Sequence, residues 1–188
     1  MYDLNAQKLQ KLTGNFGLEQ EKSLTNLTVG SSKLYSFATK NGSIFVMGQD
    51  SKKLLFDLKM NGSCTGVAFN SDETMMYSVG DQAEIYQWDL KTRKCVGRVQ
   101  DTGAFSTTTV SLSPSGNLLA TGSKMGSVNI FQIDATRTLE QTPTKTLMNL
   151  TTAITDLQFN HSSELITFSS KWKKNSFKMA HIPSYTVY

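Results

Sequence analysis

The 188-residue sequence has few of the side chains on which catalysis and metal binding depend. It contains two histidines and two cysteines, and it shows neither a glycine-rich phosphate loop nor a cluster of carboxylates. An enzyme needs a nucleophile with a base and an orienting acid, or a set of clustered metal ligands. Because neither set can be assembled here, the sequence predicts a protein that is not an enzyme and that takes no cofactor, metal ion or small-molecule substrate.

Long apolar runs are also missing. No stretch approaches the roughly 20 apolar residues that span a bilayer, and the N-terminal MYDLNAQKLQ lacks the apolar segment of a signal peptide. The sequence therefore predicts an intracellular protein without membrane contact. Cys64 and Cys95 lack metal-ligand spacing and are expected to be reduced thiols packed in strands. Asn41-Gly42 and Asn61-Gly62 match the glycosylation acceptor, but without secretion they instead predict tight turns with positive φ.

What the sequence does contain is a repeat. The stretch Met75–Leu90 indicates two apolar strands joined by a turn at Gly80-Asp81, and it closes on Trp88-Asp89, as a WD-repeat blade does. The same pair of positions recurs at Tyr2-Asp3, Val46-Met47, Phe131-Gln132 and Ala180-His181. The intervals are about 43 residues, apart from a longer last one, and WD blades repeat every 40–45 residues or so.

The ends of the innermost strands repeat with a similar period, at Leu27-Thr28, Phe69-Asn70, Leu112-Ser113 and Phe159-Asn160. The expected fold is all-β: a WD40-type β-propeller, here an incomplete arc of about four blades plus a remnant of a preceding blade. Within residues 1–188 we expect the remnant at 1–12 and blades at 23–58, 64–99, 108–150 and 153–188. Because blades must close into a ring, we expect a fragment that lacks two or three blades, on the order of 100 residues or more.

Trp88 and Asp89 are predicted to be structural, with the indole packed between sheets and the carboxylate capping local backbone donors. The usual WD blade also has a Gly-His pair before its innermost strand, and neither His161 nor His181 lies there. The hydrogen-bond network built on that histidine is therefore expected to be absent, leaving blades held mainly by apolar packing. Asp101-Thr102-Gly103 is interpreted as the exit turn of the second blade.

One predicted hairpin, in the last blade, combines cations with an aromatic ring. It contains Lys171, Trp172, Lys173 and Lys174, with Lys178 just beyond. Lysines can neutralise phosphates and an indole can stack on a base, and the net charge of +4 agrees weakly with an anionic partner. The hairpin is thus a candidate contact for RNA or protein. The alternative is a solvated, lengthened hairpin that explains the longer last interval.

Four segments resemble those of one family of nucleolar WD-repeat proteins, the U3 small nucleolar RNA-associated protein 18 family. They are WDLKTRKCVGRVQDTG, GNLLATGSKMGSVNIFQ, KTLMNLTTAITDLQFNHSSELITFSS and MAHIPSYTVY. MNL followed by a T-x-L-x-F-N strand, and H-I-P-S before the last strand, are much more specific than Trp-Asp. The first blade is the least diagnostic part.

The resemblance implies a seven-bladed, non-catalytic scaffold of the U3 snoRNP and the small-subunit processome, in nucleus and nucleolus, supporting pre-rRNA processing and 18S rRNA maturation. The implied partners are the other UTP-B propeller proteins, U3 snoRNA and pre-rRNA. In that family an N-terminal arm recruits the exosome's RNA helicase, an activity not assigned to this sequence. The alternative is a WD-repeat interaction module of another class: a signalling scaffold, or a ubiquitin-ligase substrate receptor, in which arginine often stands where Lys91 is.

Overall fold

A computed structural model describes residues 23–188 in full, together with the backbone of two short N-terminal strands. These are β1 (Tyr2–Asp3) and β2 (Lys8–Leu9), which pair antiparallel with Tyr2 opposite Leu9. The rest of the remnant predicted at 1–12 lies outside the described residues.

Four antiparallel sheets of four strands follow one another along the chain, each pairing its strands in sequence order. The first sheet is β3 (Leu24–Val29), β4 (Leu34–Thr39), β5 (Ser43–Gly48) and β6 (Leu54–Lys59). The second sheet is β7 (Cys64–Phe69), β8 (Met75–Gly80), β9 (Glu84–Asp89) and β10 (Lys94–Gln100). The third is β11 (Thr107–Leu112), β12 (Leu118–Ser123), β13 (Val128–Gln132) and β14 (Lys145–Leu147). The fourth is β15 (Asp156–Phe159), β16 (Leu165–Ser169), β17 (Phe177–His181) and β18 (Thr186–Val187).

This is the blade architecture of a β-propeller, and the predicted all-β fold is confirmed. No helix occurs in residues 23–188, so this part of the chain has none with the length and hydrophobicity of a membrane span. The predicted glycine turns are also confirmed, since Gly42 and Gly62 have φ of 78° and 71°. They abut each other: a Cβ on Gly42 would stand 2.3 Å from the Gly62 carbonyl oxygen.

The sequence predicts strands at Thr144–Leu150 and Ala153–Phe159, and both are shorter in the structure for local reasons. β15 begins three residues later than predicted because the Ile154 amide donates to the Ser123 carbonyl of the third blade, at 3.1 Å, and not to its own sheet. β14 ends at Leu147 because the chain then leaves the sheet, exposing 80% of Met148.

Apolar side chains fill the space between successive sheets in three clusters, which form the core. Burying one aliphatic or aromatic side chain of this size contributes roughly 1.5–3 kcal/mol, so these interfaces stabilise the arc. Representative fully buried members are Val46 and Met76 between the first and second blades, Leu119 and Phe131 between the second and third, and Ile130 and Ile166 between the third and fourth.

The innermost strands are joined from blade to blade by a repeated side-chain bond. In each case a threonine near the strand's start donates its hydroxyl to a backbone carbonyl of the next blade. The bonds are Thr25 to Cys64 at 2.6 Å, Thr65 to Thr107 at 2.7 Å and Thr108 to Ile154 at 2.6 Å. They fix how successive blades are placed around the axis.

Antiparallel pairing places the connections on two faces. Turns between the second and third strands, and the connections between blades, share one face, which we call the upper face. Turns between the first and second strands, and between the third and fourth, share the opposite, lower face. The distinction matters because the predicted basic hairpin lies between the second and third strands of the fourth blade.

In the third blade a buried hydrogen-bond network adds to the apolar packing. Asp101, 1% exposed, accepts hydrogen bonds from the Thr107 hydroxyl and the Asn129 amide, both at 2.7 Å. Asn129 in turn accepts one from the Thr146 hydroxyl at 2.7 Å. Buried polar groups are costly unless bonded in this way. A satisfied polar network therefore supplements the apolar core.

The prediction that both cysteines are packed in strands needs correction at Cys95. Both are free thiols in strands, and Cys64 is fully buried as expected. Cys95 is exposed, because it lies on β10, the outermost strand of its sheet, beside a register shift between Cys95 and Gly97. A thiol there faces solvent instead of the neighbouring blade.

Candidate interaction surface

Trp88 and Asp89 close the third strand of the second blade. The Trp88 side chain is 5% exposed, stacks on the Tyr86 ring with centroids 5.6 Å apart, and donates its indole hydrogen to Ser78 Oγ at 2.8 Å. The Asp89 carboxylate accepts from the Thr92 hydroxyl and the Lys91 amide, each at 2.9 Å. These two bonds lower the pKa of the Asp89 carboxyl. Both side chains are thus engaged within the blade.

The basic hairpin forms the upper-face turn between β16 and β17. The Ser170 amide closes it by donating to the Ser176 carbonyl at 2.9 Å. Lys171, Trp172, Lys173 and Lys174 are all exposed on it, and the Lys171 ammonium lies 5.2 Å from the centre of the Trp172 ring. Lys178 is placed apart from them, half-buried in β17 opposite Phe168.

Three further apolar side chains stand out from the same upper face, and sequence reasoning missed them. Phe105, in the connection between the second and third blades, is 82% exposed. Met125, on the turn between β12 and β13, is 66% exposed, and Met148, in the connection to the fourth blade, is 80% exposed. With Trp172 at 68%, each of four loops therefore presents one large apolar side chain to solvent.

These four loops lie side by side. The Lys124 amide donates to the Ser106 carbonyl at 2.9 Å, which joins the first two loops. Gly126 lies against the third, since a Cβ there would be 2.5 Å from the Leu150 carbonyl oxygen. The Thr152 hydroxyl donates to Ser170 Oγ at 2.7 Å, which joins the third loop to the hairpin. We call the continuous surface of residues 103–106, 124–127, 148–152 and 171–175 the loop patch.

The loop patch is strongly cationic. Its four loops contain four lysines, Lys124, Lys171, Lys173 and Lys174, and no aspartate or glutamate. That excess equals the formal net charge of the entire chain, +4. The salt bridges seen in residues 23–188, Arg98 with Glu84 and Arg137 with Asp72, lie elsewhere. The patch thus combines unneutralised cations with exposed apolar side chains.

No simple sequence signal marks Phe105, Met125 or Met148. A single apolar residue in a glycine- or serine-containing turn is common on protein surfaces and by itself indicates nothing. Their significance comes from the topology, which brings connections far apart in the sequence onto one face.

A groove of about 640 Å³ lies between the second blade and the connection that follows β13. Arg137 lines this groove and donates from Nη1 to the Thr74 hydroxyl at 2.7 Å. The Gln87 side-chain amide donates to the Arg137 carbonyl. These polar groups are used in joining two blades. No group of three or more His, Cys, Asp or Glu side chains that could hold a metal ion occurs in the described part of the chain.

Curated proteins of one name match this sequence along its whole length. The U3 small nucleolar RNA-associated protein 18 homologs of Arabidopsis thaliana and Mus musculus are 36% and 34% identical to it over 100% of the chain. The probable protein of that name in Schizosaccharomyces pombe is 28% identical, also over 100% of the chain. The chain belongs to the U3 small nucleolar RNA-associated protein 18 family.

The sequence resemblance to the U3 small nucleolar RNA-associated protein 18 family is thereby confirmed. The chain spans about a third of the length of these relatives, covering 34%, 34% and 37% of them. No protein-family model matches the chain.

A solved structure shows the same fold. The chain superposes on one in the crystal structure of the mitotic checkpoint complex, with a TM-score of 0.83 over 99% of this chain and 57% of that one. Their identity is 15%, so the likeness concerns the fold alone. This member of the U3 small nucleolar RNA-associated protein 18 family is therefore a WD40-type β-propeller arc.

Proposed function

We propose that this chain is a non-catalytic scaffold propeller of the U3 small nucleolar ribonucleoprotein, acting in the small-subunit processome. Its role there is to support pre-rRNA processing and 18S rRNA maturation. The observation that carries the proposal is the match of the whole chain to proteins named U3 small nucleolar RNA-associated protein 18, from plant to animal to yeast.

The use of polar side chains supports a scaffold role. Trp88 donates a hydrogen bond to Ser78, and the Asp89 carboxylate accepts one from its own turn. Asp101 accepts hydrogen bonds from Thr107 and Asn129. These groups hold sheets and turns in place. A rigid arc of this kind presents loops at fixed positions, which is what an assembly platform requires.

The proposed partners are the other UTP-B propeller proteins, U3 snoRNA and pre-rRNA, and the proposed location is the nucleolus. The loop patch is the surface we assign to an anionic partner. Lys178 is left out of that assignment, because it is half-buried within the sheet. The arc's other surfaces are available to protein partners.

Sedimentation of nuclear extracts tests this proposal. A tagged form of the protein should migrate with nucleolar pre-ribosomes and co-purify U3 snoRNA, whereas an unrelated WD propeller with the same tag should not. Depletion should cause precursors of 18S rRNA to accumulate and leave large-subunit rRNA unchanged. Migration with a ubiquitin ligase or a signalling complex, without U3 snoRNA, would refute the proposal.

A further inference from the structure

We infer that the loop patch binds single-stranded RNA, with bases stacked on Phe105 and Trp172 and phosphates held by the lysines between and beside them. The inference rests on the proposed function, which places the protein in an RNA particle. It adds the surface that makes the contact and the class of RNA that fits it.

The charge of the patch selects a polyanion. Four lysines face solvent on loops that contain no acidic residue. The nearest carboxylates in sequence, buried Asp101 and exposed Asp156, lie outside the four loops, and the salt bridges seen in residues 23–188 involve none of these lysines. A phosphate backbone, with regularly spaced charges, is the partner that such a row of ammonium groups attracts most strongly.

The exposed rings select unpaired bases. Phe105 and Trp172 keep most of their surface in water, where burial against a partner would be favourable. A flat ring beside a cation is the arrangement on which single-stranded nucleic acids stack, because every base offers a π-face. Lys171 already lies 5.2 Å from the Trp172 ring, so one nucleotide can contact both. In a duplex the bases are stacked on each other and cannot reach these rings.

The order of the loops gives the bound strand a path. The two rings lie on the first and last of four loops, which are joined in series by the contacts described above. Met125 and Met148 lie on the two middle loops, where flexible thioethers can contact bases or sugars. An acidic peptide would also match the lysines, but it would leave the rings at both ends without flat partners.

Binding of a labelled oligouridine to the purified protein, followed by fluorescence anisotropy over a range of salt, tests the inference. The variant K171A/K173A/K174A should reduce the slope of log K against log salt by about 2, because each phosphate contact contributes about 0.7 for single strands. F105A and W172A should each weaken binding by about tenfold, with little change in slope. Two control variants should change neither the affinity for oligouridine nor the salt slope. They are K33A/K53A/K91A, which removes three exposed lysines of the lower face, and Y188A, which removes an exposed ring elsewhere.

Tryptophan fluorescence gives a second readout that does not depend on affinity. The chain has two tryptophans, of which Trp88 is 5% and Trp172 68% exposed. Stacking on Trp172 should quench the emission of the native protein and leave that of W172F unchanged. An RNA duplex that binds as tightly as the single strand, a polyglutamate that competes equally well, or aromatic variants that bind normally would overturn the inference.

The outcomes also separate this inference from the proposed function. If the patch variants bind oligouridine normally while the protein still co-purifies with U3 snoRNA, the patch assignment is wrong and the scaffold proposal stands. If oligouridine binding behaves as expected but the protein never associates with U3 particles, the scaffold proposal is wrong and the RNA surface stands.

Discussion

The Trp88 indole nitrogen donates to the Ser78 hydroxyl across the two middle strands of the second blade, at 2.8 Å. Ser78 is fully buried and Trp88 is 5% exposed, so both polar groups satisfy each other away from water. The same indole belongs to the apolar cluster between the first and second blades. The Trp88 side chain therefore joins two strands of the second blade by a hydrogen bond and also packs that blade against the first.

Replacing Trp88 by alanine should lower the free energy of unfolding by roughly 3–5 kcal/mol, because it opens a large cavity at this interface and leaves the Ser78 hydroxyl unbonded. W88F keeps most of the packing and should cost less, which separates the two contributions. Urea melts followed by circular dichroism measure both. A loss below about 1 kcal/mol for W88A would contradict the assigned role.

Replacing Asp101 by alanine should cost about 3 kcal/mol, because it leaves the Thr107 hydroxyl and the Asn129 amide buried without their acceptor. The matched control is D57A, which removes an exposed carboxylate from the first blade and should change stability by less than about 0.5 kcal/mol. The same urea melts apply. Equal effects of D101A and D57A would show that the buried network does not stabilise the third blade.

The periodic part of the fold could be predicted from the sequence, because each blade repeats the same pattern of apolar strand residues and turn-forming residues. The positions predicted at Val46-Met47, Trp88-Asp89, Phe131-Gln132 and Ala180-His181 all lie in the third strands of their sheets. Alternating apolar residues and turn-forming residues fix such strands locally. The period then fixes how strands group into blades.

What the sequence could not provide depends on contacts between distant loops. The sequence predicts only that Asp101 belongs to an exit turn, and the folded chain shows that Asn129, on a later strand, donates a hydrogen bond to it. Phe105 and Trp172 belong to one surface because the blades are arranged around an axis, although they are far apart in the chain. Periodicity predicts which residues form strands, but it does not predict which turns meet on a face.

Glu73 should make stability depend on pH in the acid range. Its carboxylate reaches from the second blade to the first, where it accepts from the amides of Ser32 at 2.6 Å and Lys33 at 2.9 Å. Burial alone would raise the pKa of Glu73, but bonds from the backbone of Ser32, Lys33 and Leu34 and from the Ser31 hydroxyl outweigh it, so the pKa falls below the ordinary 4.5. A lowered pKa in the folded state means that this stabilisation is complete above the ordinary pKa and is lost as the pH falls through the lowered one.

The measurement is the difference in free energy of unfolding between the wild type and E73Q at a series of pH values. The wild type should be more stable above about pH 4.5, the usual range of a glutamate pKa, and the difference should shrink as the pH falls further. Glutamine keeps the size and an acceptor oxygen but has no charge to lose. A difference that stays constant down to the lowest pH at which the protein folds would contradict the bond between the two blades.

The two thiols should differ sharply in reactivity. Cys64 is fully buried in β7, and burial, only partly offset by a hydrogen bond with the Gly66 backbone, raises its pKa to about 12. Since the thiolate is the reactive form, Cys64 is both inaccessible and protonated at neutral pH. Cys95 is exposed on the outermost strand. Ellman's reagent should therefore modify one thiol in the native protein and two in urea.

Single substitutions assign the reactive thiol. C95S should remove the fast native reaction and leave only slow labelling, and C64S should leave the fast reaction unchanged, while both variants should show one reactive thiol in urea. The slow native labelling of Cys64 in C95S then reports local opening between the first and second blades, and W88A should accelerate it because it weakens the same interface. If Cys64 and Cys95 react natively at the same rate, β7 is not enclosed between neighbouring sheets, and the packing of the first two blades described here is wrong.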